Sequence, residues 1–186
     1  MADTKVSAET LVSALAANHR FYVVCDTGAA PDSNAARASQ VKTYVGIGTA
    51  TNDDAAAGAI GETQVATGSA VALTTTTPAN VCSISLTAGD WDVSAVAGFT
   101  GAGATVTSNI TLSHSTTSAT QDGTVGKQNT FRFNGGSGFT DVNHGVSLSP
   151  YRYSLAATTT VYLVATAVFS TSTYAVSGRL YARRMR

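Results

Sequence analysis

Val23-Val24-Cys25-Asp26-Thr27-Gly28-Ala29 is the segment whose residue types come nearest to a catalytic signature. Its apolar-apolar-x-Asp-Thr-Gly-Ala spacing is the one in which aspartates from the two halves of a dimer share a proton and activate water. That chemistry also needs a glycine-containing apolar strand beneath the aspartates and a flap hairpin above them. Residues 29–60 read instead as a small helix followed by a small-residue linker. Asp26-Thr27-Gly28 is therefore read as the turn that leaves a Phe21–Cys25 strand. Serine hydrolysis fares no better. Gly135-Gly136-Ser137-Gly138 is followed by Phe139, so the G-x-S-x-G elbow is missing.

Metal and phosphate chemistry are equally thin. His19, His114 and His144 show no i, i+2 or i, i+4 spacing to another His or Cys, and they read as solvated loop histidines. Only a contribution of His114 or His144 to an ion on a threefold axis stays open. Asn52-Asp53-Asp54 lacks the alternating oxygen spacing of a calcium loop and reads as a turn or cap. Gly46-Ile47-Gly48 lacks the Lys-Thr/Ser that follows a phosphate-binding glycine run. The expectation is a non-enzymatic protein with no catalytic residue, no metal and no cofactor.

The bulk properties narrow the partners. The chain has 186 residues, 11 basic and 11 acidic, with 12% charged and 44% hydrophobic. Nucleic-acid affinity depends on a basic excess that releases counterions, and none exists. No segment approaches the ~18 apolar residues that span a bilayer, so no membrane insertion is expected. Residues 1–8 carry no apolar signal region, which gives the expectation of a protein made and kept in a cytoplasm until lysis. Cys25 and Cys82 then read as free thiols.

Elements able to position a site come mostly after residue 60. Thr159–Phe169 and Thr173–Arg183 alternate apolar and polar residues, with β-branched and aromatic types dominant. They read as a β-hairpin joined through Ser170-Thr171-Ser172. Further strands are expected at Glu62–Val65, Ala70–Thr75, Val81–Leu86, Trp91–Phe99, Ala104–Leu112, Phe131–Phe133, Val146–Leu148 and Tyr151–Leu155. Ser113–His144 alternates poorly and holds several glycines, so it reads as the longest loop region. The fold class is thus all-β, a jelly roll or related sandwich over residues 61–186. Residues 46–60 read as a linker or neck. Residues 1–45 read as a small α+β segment: a Phe21–Cys25 strand, a polar turn, and a helix from about Ala35 to Tyr44 capped by Asp32, Ser33 or Asn34.

Three local patterns then resemble the C-terminal domains of tailed-bacteriophage fibre and spike proteins. They are Leu86-Thr87-Ala88-Gly89-Asp90-Trp91-Asp92-Val93, then Ser154-Leu155-Ala156 leading into Val161–Ala165, and finally Leu180-Tyr181-Ala182-Arg183-Arg184. Such knobs are similar to the trimeric jelly rolls of the tumour-necrosis-factor and complement-head type. Met1–Ser7 and Ala38–Val45 resemble the ends of a phage virion-attachment segment. The resemblance implies a homotrimer anchored to capsid or tail proteins through residues 1–45, located on the virion, with a knob that faces outward. A head fibre or decoration protein without a dedicated receptor is an alternative within that reading. A glycan-binding adhesin or hydrolase is the reading outside it.

If the knob meets a host glycan or protein, exposed aromatic and amide side chains near irregular segments are the natural contacts. Those are Phe131, Phe133, Asn134, Phe139, Asp141, Asn143, Tyr151 and Tyr153. Trp91 follows a glycine turn just inside a strand and is expected in the core. Arg179 and Arg183 share a strand face, either exposed or paired to carboxylates across a subunit boundary.

Overall fold

The structure is a computed structural model and describes residues 20–25, 32–37, 54–133, 139–140 and 143–186. The chain divides into two compact units, Met1–Asp53 and Asp54–Arg186. In the first, β1 (Arg20–Cys25) pairs antiparallel with β2 (Asp32–Arg37), from Arg20 opposite Arg37 to Cys25 opposite Asp32. The helix expected from Ala35 is corrected here, since Ala35–Arg37 lie in β2. A cap is worth about 1 kcal/mol, and it is outweighed by the backbone pairing that the Phe21–Cys25 strand offers. The rest of that expected helix, the Asp26-Thr27-Gly28 turn and both attachment-like patterns lie outside the described residues.

The second unit is a β-sandwich. Its strands are β3 (Thr63–Leu73), β4 (Ala79–Leu86), β5 (Gly89–Gly101), β6 (Val106–Ser115), β7 (Gln128–Arg132), β8 (Phe139–Thr140), β9 (Asn143–Leu155), β10 (Thr159–Ser170) and β11 (Tyr174–Arg184). One antiparallel sheet runs β3-β11-β5-β9; the other runs β4-β10-β6-β7, with β8 also on β6. Counted from β3 and leaving out β8, the two orders are first-eighth-third-sixth and second-seventh-fourth-fifth, the double Greek key of a jelly roll.

That topology overturns the expected terminal hairpin. β10 pairs with β4 and β6, whereas β11 pairs with β3 and β5, so the two strands face each other across the core. Both are inner strands, each flanked on both sides, which is why both are rich in apolar residues. Thr171, at φ 79°, turns the chain from one sheet to the other. Two pairs of expected strands also merge. Thr63–Leu73 is continuous through an irregularity at Ala70 (φ 49°), and Asn143–Leu155 is continuous through a register shift opposite Val93/Ala95. Nor is Ser113–His144 one long loop, because β6 runs through Ser115 and β7 and β8 fall within the span.

Inward residues from both sheets form one core, with Leu86, Trp91, Val93, Phe99, Leu112, Val161, Leu163, Leu180 and Ala182 fully buried. Trp91 is in the core, as its position after the glycine turn suggested, and its indole N–H donates to the Thr87 carbonyl at 2.9 Å. Residues 54–61 turn back onto the sheet, with Gly61 N–H donating to Arg184 O at 3.0 Å and Gly58 N–H to the Glu62 carboxylate at 2.8 Å.

Candidate functional site

β7 and β9 are the edge strands on one side of the sandwich, and they bring several of the expected contact residues together. Asn129 and Phe131 share the β7 face that turns toward β9, and Phe133 follows just past the strand. Asn129 Nδ2 donates to Ser147 O at 3.1 Å, tying the two edges. Phe131 is 45% exposed. Phe133 packs against the core and lies 4.8 Å, centroid to centroid, from the ring of His144. Asn143 is exposed at the start of β9, and its side-chain Oδ1 accepts from Thr100 Oγ1 at 2.8 Å. Phe139 lies in β8, and Asn134 and Asp141 lie outside the described residues.

Tyr151 and Tyr153 do not belong to that surface. Tyr153 is buried and Tyr151 is half-buried. Their rings lie 5.4 Å apart, with the Lys127 ammonium 4.9 Å from each centroid. Lys127 in turn pairs with Asp122 at 2.8 Å and holds that carboxyl down to about 2. His114 completes the cluster. It is fully buried, contrary to the solvated loop histidine expected, because β6 continues through it with its side chain facing inward. Burial, reinforced by the Lys127 charge, lowers its pKa to about 4, so the imidazole is neutral. Burial likewise raises the pKa of the Tyr153 phenol. Among the described residues no three His, Cys, Asp or Glu side chains gather around a common point that could hold an ion.

The two sheets treat their outer faces differently. Residues 116–127 cross the outside of β4, β10 and β6 as a strap fixed by hydrogen bonds. Asn80 bonds Ser118 and the Ala119 N–H, Ser113 bonds the Asp122 backbone, and Gln121 donates to Thr166. Under the strap Val164, Thr111, Ser113 and Ser115 are buried although they point away from the core.

No described segment covers the outer face of β3-β11-β5-β9. Thr67, Arg179, Val96 and Ser147 lie side by side across its middle, with Val65, Tyr181 and Ser94 in the row on one side and Ser177, Gly98 and Gly145 on the other. Val96 is 50% and Val65 48% exposed. A groove of about 330 Å³ beside the β5–β9 register shift is lined by Ser94, Ala95, Val96, Leu148, Arg179 and Tyr181. Sequence reasoning placed Arg179 and Arg183 here but missed the face itself. Its signal was large apolar residues on the polar parity: Val65, Val96 and Tyr181.

Arg184 and Arg186, beyond the outer-face pair Arg179 and Arg183, meet different partners. Arg184 is buried, its Nε donating to Glu62 at 2.8 Å and its Nη1 to Ala88 O at 2.9 Å, with Thr87 Oγ1 on Nη2. Its guanidinium lies 4.3 Å over the Trp91 ring. Burial alone would raise the Glu62 pKa, but hydrogen bonds from Arg184, Gly58 N–H and Gln64 outweigh it and the net shift is downward. Arg186 and Arg152 instead hold Asp90, whose pKa falls to about 2, chiefly through Arg186 with help from Ser154. The segments 86–93, 154–156 and 180–184 therefore meet at one end of the sandwich. No protein-family model matches the chain, and no curated protein matches it.

Proposed function

We propose that the chain is a non-enzymatic structural protein of a bacteriophage virion, a trimeric fibre or spike. Residues 1–45 attach it to capsid or tail proteins, and the jelly-roll unit faces outward for host-surface adhesion. The observation that carries this reading is the asymmetry of the two outer faces. One sheet is strapped by its own chain, while the other presents exposed valines, a tyrosine and a flat row of Gly98 and Gly145. A bare sheet face with an apolar centre is the surface that identical copies cover in a closed assembly. The pairing of 86–93 with 154–156 at Asp90 and with 180–184 at Trp91 supports the same reading, because the fibre-like segments form one structural unit rather than scattered matches. The β7–β9 edge, where Phe131 and Asn143 are both exposed, is the surface left for a host glycan or protein.

Native mass spectrometry of the purified full chain tests the assembly, with three chain masses expected at micromolar concentration. A stable monomer would overturn it. Labelled-antibody imaging of virus particles tests the location, and particles that never carry the label would remove the virion reading.

A further inference from the structure

Closing the bare face on its own copies leaves one charge without compensation. Arg179 is the middle residue of β11, and its row neighbours Thr67, Val96 and Ser147 carry no carboxylate. The nearest acid on that face, Asp92, lies in the row of Arg183, roughly 13 Å along the strand at 3.3 Å per residue. Among the described residues Arg179 makes no ion pair; its guanidinium lies 5.5 Å over the Tyr181 ring. β11 and β5 are the inner strands of their sheet, so Arg179 and Val96 mark the centre of the face. A symmetric assembly that closes through this centre brings the copies of Arg179 together. Like charges pressed into a drying interface repel strongly unless something of opposite sign joins them. The groove at the same place is lined by Arg179 together with Ser94 and Tyr181, which carry hydroxyls, and by Val96 and Leu148.

We propose that the assembled face holds an oxyanion of the phosphate or sulfate type, shared by the Arg179 guanidinia of the copies and bonded by Ser94 and Tyr181 hydroxyls. Guanidinium matches the planar two-oxygen edge of such an ion better than an ammonium does. This inference rests on the self-assembly reading, and the experiment separates the two.

Sedimentation and thermal unfolding of the full chain are measured in sodium chloride, sodium phosphate and sodium sulfate at matched ionic strength. The same series is run on Arg179→Gln, an exposed change that leaves the core untouched. Phosphate and sulfate at about a hundred times their Kd are expected to raise the wild-type Tm by about 5 °C more than that of the variant. The general salting effect of these ions acts on both proteins and cancels. Arg179→Gln is expected to assemble in chloride at least as well as the wild type. An assembled wild type that responds to oxyanions no more than Arg179→Gln overturns the inference and leaves the assembly standing. A wild type that stays monomeric in all three salts overturns both.

Discussion

His114 Nδ1 and the Tyr153 phenol oxygen lie 2.8 Å apart, a hydrogen bond that joins β6 of one sheet to β9 of the other through the core. Two charged groups act on it: Lys127, whose ammonium sits over the Tyr151 and Tyr153 rings and ties the strap to the cluster, and Asp122, the carboxylate paired to that ammonium. The other imidazole nitrogen, Nε2, is buried without a hydrogen-bond partner. One bond therefore carries the whole polar satisfaction of this histidine ring.

Tyr153→Phe tests that dependence. The substitution removes an oxygen and almost no volume, yet it leaves both ring nitrogens of His114 buried and unbonded. A buried polar group left unmade costs about 1–3 kcal/mol, more than the bond itself contributes. Denaturant unfolding of Tyr153→Phe is expected to show that loss. The double variant with His114→Leu should recover part of it, because no orphaned nitrogen remains. Equal stability of Tyr153→Phe and wild type would remove the bridge from the account.

The same histidine sets an acid response. Its pKa is near 6.5 in the unfolded chain and about 4 in the folded one. The unfolded state thus binds the proton first as pH falls, and folding stability is lost between about 6.5 and 4. The full effect is about 3 kcal/mol. Asp90 and Asp122, held near 2, act in a lower window, as pH drops from about 4 toward 2. Denaturation midpoints taken across pH 7 to 5, above the carboxylate window, should fall for the wild type and stay flat for His114→Leu.

Arg184 and Glu62 form a buried ion pair at the end where β3 begins and β11 ends. Arg184→Met keeps the stem volume but strands the Glu62 carboxylate among buried groups. Breaking one side of such a pair costs about 3–5 kcal/mol, and the Trp91 ring also loses its cation. The double variant Arg184→Met with Glu62→Gln should be less destabilised than Arg184→Met alone. Chemical unfolding of the four proteins gives the coupling directly.

Much of this molecule was legible in its sequence. Strict alternation with buried Trp91, Val93 and Phe99 located β5, and the same rule placed Arg179 and Arg183 together on one face. What failed was pairing, because adjacency in sequence suggested a hairpin for β10 and β11. Their apolar character came instead from each lying inside a different sheet. The contact residues were half legible for a related reason. Phe131 and Tyr153 look alike in sequence, but one sits on an edge strand and the other faces His114 across the core. The bare face was not legible, since only the strap over the other sheet gives it meaning.

Gly68 and Gly98 make a matched pair for the packing of the sheets. A Cβ on Gly68 would overlap the carbonyl oxygen of Val81, where β3 lies closest to β4, and backbone cannot yield as a side chain does. Gly68→Ala is expected to be severely destabilising, about 3 kcal/mol or more. Gly98 opens onto empty space, and Gly98→Ala should be within about 0.5 kcal/mol of wild type. Thermal unfolding of the two alanine variants distinguishes close sheet contact from a generic intolerance of alanine in this sandwich.

Val96→Lys separates folding from assembly. The Val96 side chain is half exposed and stands off the sheet between Arg179 and Ser147, so an ammonium there stays hydrated in a lone chain. In an assembly that closes over the centre of this face, copies of that ammonium are dehydrated near one another and beside Arg179, so charge of one sign accumulates. Val96→Lys in sodium chloride should therefore keep the wild-type circular dichroism spectrum while its sedimentation shifts to the single-chain value. Phe131→Ala, on the β7–β9 edge, should change neither. Unaltered assembly of Val96→Lys would place the contact between copies on some other surface.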